Sequence, residues 1–197
     1  MLFSHPSLPA RDVKELIAYA RANPGKLNYG SSGPGSSPHL ATELMLSMAG
    51  LQMTHVPYKG IAPAVAGQLA NDVQLSFTPI AVGMPHVRSG RLRALAAGGL
   101  QRSASVPDIP TVDESGLPGF EVIGWWGVLA PARTPRSVIN LLNKEIRAVL
   151  EIAEVKRSLL DQGMDPASGT PEQFGSLIKS DMDKWGDIGK RLGVKLD

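Results

Sequence analysis

The 197-residue chain has no cysteine, which excludes disulfides, thiol nucleophiles and cysteine-ligated zinc. Aromatic residues are scarce at 5%, and the formal net charge is only +2, with Lys and Arg scattered along the chain. No basic stripe is therefore present to follow a nucleic-acid backbone. No apolar run approaches the ~20 residues that a membrane-spanning helix needs. The four histidines, His5, His39, His55 and His86, form no His-x-x-x-His pair and have no carboxylate at ligand spacing. Neither a metal nor a cofactor is expected from them. No Ser-His-Asp set can be assembled from spacing, which argues against a hydrolase. Met1-Leu2-Phe3-Ser4-His5-Pro6 lacks the basic start and apolar core of a signal peptide, so export would rest on a signal outside this chain.

Glycine and proline are plentiful instead, at 21 and 16 residues. The chain is organised around one stretch that uses them: Leu27-Asn-Tyr-Gly-Ser-Ser-Gly-Pro-Gly-Ser-Ser-Pro-His-Leu40. It reads as a short strand over 27–29, a Gly/Ser loop, and a helix. Pro38 suits the first helical position, because its missing N–H would have had no intrahelical partner there. Ser37 is then the expected N-cap. Leu40, Ala41, Leu44, Met45 and Met48 follow at helical spacing, and Gly50 is placed to end the helix.

A helix N-terminus carries free N–H groups and about half a positive charge. Gly30, Gly33 and Gly35 let backbone approach a ligand, and Ser31, Ser32, Ser36 and Ser37 add hydroxyls. One reading is an anion cradle, with the anion expected at the main-chain N–H groups of Ser36 and Ser37. The other is a polar strand-to-helix connection that binds nothing. The loop is not a phosphate-binding P-loop, since no Lys-Ser/Thr follows the glycines, and it holds no Gly-x-Ser-x-Gly.

Along the rest of the chain, residues 1–10 read as an extended lead-in and 12–22 as an amphipathic helix. Short strands at 53–57, 73–78 and 92–97 alternate with helical patterns at 63–70 and 82–88. Such alternation argues for βαβ units and a parallel sheet. Ligands on these sheets lie beyond the carboxyl ends of the strands, where residues 30–38, Tyr58-Lys59-Gly60 and Thr78-Pro79 would meet on one rim. Lys59 could pair with an anion there or simply be exposed. His39 could touch a ligand or pack. Trp125 and Trp126 cannot share one pocket if their run is extended, because adjacent strand residues face opposite sides. From residue 135 the pattern is helical, with Thr170-Pro171-Glu172-Gln173 as a capping-box start.

Five segments occur in a familiar order: Tyr29 to Leu40 as quoted above; His55-Val-Pro-Tyr-Lys-Gly60; Pro107-Asp-Ile-Pro-Thr111 with Glu114-Ser-Gly-Leu-Pro-Gly119; Trp125-Trp-Gly-Val-Leu-Ala-Pro131; and Gly169-Thr-Pro-Glu-Gln-Phe174. The set resembles the Bug family, the extracytoplasmic solute receptors of tripartite tricarboxylate transporters, over nearly the whole chain. The resemblance implies an α/β, type II periplasmic-binding-protein-like fold. One complete lobe would carry a parallel-type sheet (1–123), followed by a helical C-terminal part of an incomplete second lobe (124–197).

The same resemblance implies a periplasmic, non-enzymatic receptor for a small carboxylated solute, delivering it to membrane transporter subunits. An enzyme or binding module using the cradle for a phosphate group is the alternative. Carried over by position, the ligand-facing residues are Ser31, Ser32, Gly33, Gly35, Ser36, Ser37, Tyr58, Lys59, Gly60 and Thr78. Thr78-Pro79 departs from relatives that place an Asp in that segment. The resemblance also implies a large N-terminal portion that this chain lacks. Solute binding weaker than a full-length relative's, and self-association through uncovered helix faces, are therefore expected.

Overall fold

A computed structural model describes residues 1–191 and Gly193. Five strands form one sheet: β1 (Leu2–Ser4), β2 (Asn28–Ser31), β3 (Thr54–Pro57), β4 (Leu75–Phe77) and β5 (Arg93–Ala96), in the spatial order β3-β2-β4-β1-β5. The helices between them are α1 (Val13–Ala22), α2 (Ser37–Ala49), α3 (Ile61–Leu69) and α4 (Ile80–Arg88). The four strands foreseen from the sequence run parallel to one another, as βαβ units require. The extended lead-in is the exception. Its residues form β1, which inserts between β4 and β5 and runs against both, so the sheet is mixed.

β1 is the most enclosed strand in the fold. Leu2, Phe3 and Ser4 are all fully buried, because successive side chains enter cores on opposite faces. Leu2 joins Tyr29, Leu75, Phe77 and Leu95 beneath Val13 and Leu16 of α1 and Leu44 and Met45 of α2. On the other face the Phe3 ring lies against Gly83 of α4, where even a Cβ would stand 2.2 Å from the ring. Gln68 of α3 donates through Nε2 to the Phe3 carbonyl at 2.9 Å and accepts from Ser76 Oγ at 2.6 Å. Buried polar groups on that face are thereby paired.

Local signals set the helix ends. Asp12 caps α1 by accepting the Glu15 N–H at 2.8 Å. Gly50 closes α2 in the left-handed conformation at φ 62°, as its placement predicts. Beyond β5 the chain crosses without strands: Ala97 and Thr111 make an isolated bridge, and the Val122 N–H donates to the Gly98 carbonyl at 2.7 Å. The run through Trp125 and Trp126 is irregular, lying along α7 (Pro171–Arg191) after α5 (Arg136–Leu150) and α6 (Ala153–Asp161) in fold order. Trp125 packs edge-on against Phe174 and donates from Nε1 to Asp181, whereas Trp126 is 75% exposed, so the two rings do part company. α7 returns to the sheet layer, with Ile188 buried and Trp185 against the core under α2.

Candidate functional site

Because β2, β3 and β4 are parallel, their carboxyl ends open on one rim, as the sequence reading requires. A shallow notch there is lined by Gly30, Ser31 and Ser32 from the end of β2, Pro38 from α2, Ile61 and Ala64 from α3, and Ser76, Phe77 and Thr78 from the end of β4. The N-termini of two helices and the ends of two strands therefore meet at one place. The notch itself is too narrow to admit a water, so a ligand would meet these helix ends from the rim above it.

The loop itself is more internally bonded than the sequence suggests. The N-cap of α2 is Ser36, one residue earlier than expected, and Ser37 and Pro38 begin the helix. Ser36 does not cap with its side chain; its hydroxyl and its N–H both donate to the Gly33 carbonyl, at 2.6 and 3.2 Å. The Ser36 amide, expected to face an anion, is thus occupied within the chain. The Gly33 N–H donates to Ser31 Oγ at 3.1 Å and the Gly35 N–H to His39 Nδ1 at 3.1 Å. Gly33 and Gly35 take φ of 127° and 72°, where a side chain would be strained. Among the described residues, the N–H groups of Ser32, Ser37 and His39 have no protein acceptor. They are the donors left for a ligand.

The remaining predicted residues are distributed differently from the loop. Ser31 and Thr78 are buried, and Thr78 Oγ1 shares a 3.0 Å hydrogen bond with Ser76 Oγ. The Tyr58 N–H donates to the Ser31 carbonyl at 3.0 Å, which ties the turn after β3 to the loop. Its ring, however, runs between Gly30 and Gly67 of α3, and its hydroxyl fills the space where a Gly67 Cβ would stand. Burial, then the Asp72 charge, pushes the Tyr58 hydroxyl pKa up. The Tyr58 side chain therefore fixes α3 to the sheet, and the turn faces the rim with backbone. Gly60, at φ 119°, is the N-cap of α3, and Lys59 is exposed beside it.

A cluster that sequence spacing does not reveal lies directly beneath the loop. Parallel register sets Tyr29 of β2 opposite His55 of β3, and the two rings stack at 4.8 Å between centroids. His39 of α2 stacks on His55 at 4.1 Å, and Glu43, one turn further along α2, accepts from the Tyr29 hydroxyl. His55 Nε2 lies 2.6 Å from Ser31 Oγ. Burial pushes the His55 pKa down to about 4, with the neighbouring His39 adding to it and the Glu43 charge opposing. Burial lowers His39 too, again against Glu43. Burial and the bond to Glu43 raise Tyr29. The Ser31–His55 pair is not a nucleophile and base in reach of substrate, since Ser31 is 1% exposed.

Comparison with known proteins decides the family. Residues 1–194 match the family model described as tripartite tricarboxylate transporter family receptor. The chain belongs to this receptor family. Protein BugT of Bordetella pertussis is 34% identical over the full chain, and covers 60% of BugT. A protein encoded in the tcbD–tcbE intergenic region of Pseudomonas sp. strain P51 is 40% identical over 89% of the chain, which covers 52% of that protein. Among solved structures, an R. palustris protein with adipate superposes at TM-score 0.88 with 34% identity, over 98% of this chain and 65% of that one. The periplasmic binding protein BugD superposes at 0.82 with 30% identity, over 98% and 66%. The receptor chain thus spans about half to two thirds of the length of these relatives.

Within the receptor family's α/β fold, the chemistry available at this rim is polar and largely uncharged. Three main-chain donors, the Ser32 and Ser37 hydroxyls and two helix N-termini can accept an anion without a buried cation. No group of three or more His, Asp or Glu able to hold a metal occurs among the described residues, and no described helix is long and apolar enough to cross a membrane.

Proposed function

We propose that the chain is a non-catalytic, periplasmic receptor component that captures a small carboxylated solute at the β2–α2 rim and presents it to membrane transporter subunits. The observation that carries this reading is the set of open N–H groups at Ser32, Ser37 and His39 around the start of α2. The groups proposed to meet the solute directly are the main-chain N–H groups of Ser32, Ser37 and His39, with Gly33, Gly35 and Ser36 shaping the loop around it and Lys59 and Gly60 at the edge. Ser31, Tyr58 and Thr78 shape the floor and hold the loop. What supports a carboxylate is the family together with two relatives solved with adipate and with malate. Residues 1–123 would be the binding lobe and 124–197 the return segment of a second one.

Ser37→Pro tests the reading cleanly. Proline is favoured at a first helical position, and Ser36 already holds an extended backbone at φ −68° and ψ 157°, so α2 should survive while the N–H and the hydroxyl of residue 37 both disappear. A hydrogen bond to a charged group is worth about 1.5–3 kcal/mol net, so adipate or malate affinity should fall at least about tenfold by calorimetry. Unchanged affinity, with an unchanged melting temperature, would remove this rim as the carboxylate site.

A further inference from the structure

The anion loop is not free-standing; it rests on two imidazoles. His39 Nδ1 accepts the Gly35 N–H at 3.1 Å, and His55 Nε2 lies 2.6 Å from Ser31 Oγ, which accepts the Gly33 N–H at 3.1 Å. The rings stack on each other at 4.1 Å with an interplanar angle of 16°. Two glycines with positive φ are therefore each held, directly or through one hydroxyl, by a different histidine. We propose that His39 and His55 are positioning residues of the proposed carboxylate site, setting the shape of residues 31–37, and that His39 does so only as a neutral imidazole.

The chemistry requires neutrality at one atom in particular. An imidazolium has two N–H donors and no acceptor, so a protonated His39 cannot receive the Gly35 N–H. Ser31 Oγ donates to the Gly33 carbonyl at 3.2 Å. An Nε2–H of His55 can donate to Ser31 Oγ in the neutral ring as in the protonated one, so the tie through Ser31 does not depend on the charge of His55. Two imidazoliums stacked at 4.1 Å would also repel, so uptake of the second proton opposes the stack. The other titratable groups on the column are Tyr29 of β2 and Glu43 of α2, and these are bonded to each other. The Glu43 charge favours protonation while burial opposes it more strongly, which keeps both rings neutral at pH 7. Neither imidazole needs to touch solute. Each acts through the glycine amide or serine hydroxyl that it holds.

This inference rests on the rim being the solute site, and the experiment separates the two claims. Amide–water exchange by NMR, corrected for intrinsic rate, reads the loop in the ligand-free 197-residue chain. At pH 7, Gly35 should lose at least fivefold of its protection in His39→Leu and keep it in His39→Asn, whose Oδ1 can stand in for Nδ1. Lowering the wild type to pH 4.5 should release Gly35 likewise, while His39→Asn holds it. His55→Gln against His55→Leu should sort Gly33 in the same way. Protection of Gly35 that is equal in all His39 variants, or an acid loss that persists in His39→Asn, would overturn the proposal. This holds even if the leucine variants fail to fold, because the Asn and Gln arms stand alone. Calorimetry with adipate at pH 7 then follows: His39→Leu should weaken binding at least fivefold and His39→Asn less than twofold. No adipate binding by the wild type, with the protection results as expected, would sink the solute reading and leave the loop-holding role in place. Adipate binding that is equal in wild type and His39→Leu would remove the role in capture.

Discussion

Residues 1–122 and residues 123–191 use the same vocabulary of amphipathic helices, yet only the first region buries what it makes. α1 buries Val13, Leu16, Ile17 and Ala20 against the sheet, whereas α5 and α6 have no buried residue at all. Twelve of the fifteen exposed large hydrophobics among the described residues follow residue 122, including Leu129, Leu141, Leu142 and Ile152. The difference is not one of sequence quality: α5 carries an apolar stripe as regular as that of α1. What α5 and α6 lack is a second layer, because the described residues form one sheet and its helices already cover it. The second region is held instead by a few specific ties, such as Lys184 Nζ to the Glu121 carbonyl at 2.8 Å, Gly163 packed against Ile80, and Ile188 under α2.

Stability should therefore be concentrated in the first region, and single substitutions can break that claim. Phe3→Ala removes a ring that is fully enclosed between the sheet and Gly83, so it should cost about 3–5 kcal/mol in urea unfolding. Leu141→Ala, at a half-exposed position on α5, should change monomer stability by no more than about 0.5 kcal/mol. Comparable costs at the two positions would mean that the second region has a core after all.

Association is the complementary measurement. If the stripe of Leu141, Leu142 and Val149 finds cover in a second copy of the chain, each large side chain buried there contributes about 1.5–3 kcal/mol. Sedimentation at micromolar concentration should show at least a dimer, and Leu142→Ser should weaken it about tenfold or more while leaving the melting temperature of the dilute monomer unchanged. A monomer at all concentrations would show that the exposed face is tolerated as it stands.

A smaller effect sharpens the boundary between the regions. Trp125→Phe keeps the edge-on packing against Phe174 but removes the Nε1 bond to Asp181, on a side chain 38% exposed. It should cost about 1 kcal/mol or less. Trp126→Ala, on the exposed neighbour, should be close to neutral in the monomer.

Which parts of this were readable beforehand follows from the range of the forces involved. Local signals were reliable: the left-handed Gly50, and the Thr170–Gln173 box, in which the Thr170 N–H donates to Gln173 Oε1 at 2.8 Å and the Gln173 N–H to Thr170 Oγ1 at 3.2 Å. The Gly/Ser loop and its place on the rim were also readable, because they follow from strand–helix order. β1 was not, since three residues are too few to show alternation and its burial comes from partners more than 70 residues away. The histidine column was hidden for the same reason. His55 meets Tyr29 through strand register and His39 through helix packing, and neither relation leaves a spacing motif in the chain. The apolar stripe of α5 was readable as a stripe, but periodicity cannot say whether a partner layer exists; only the resemblance pointed to an uncovered face.

The last difference between the regions is their response to acid. All four histidines, His5, His39, His55 and His86, lie in the first region. His39 and His55 are pushed below the ordinary 6.5, His55 to about 4. The unfolded chain therefore binds more protons than the folded one between about pH 4 and 6.5. The stability they contribute is complete above 6.5 and is lost as the pH falls towards 4. The slope per histidine must stay below about 1.4 kcal/mol per pH unit, the limit for one whole proton, and well below it for half-buried His55, which water partly screens. Glu114 and Glu151 are also held low, by the Thr111 N–H and by Lys156 respectively, but their effect sets in only near the ordinary carboxylate range. Burial also lowers the Met1 amino group to about 5, which adds a loss of the same sign between pH 7 and pH 5.5. In urea unfolding it is therefore the difference between wild type and a histidine double variant that isolates the imidazoles. The wild type should lose stability between the two pH values, and the His39→Asn/His55→Gln double variant should lose distinctly less. An equal loss in both proteins would assign the acid sensitivity to groups outside the column.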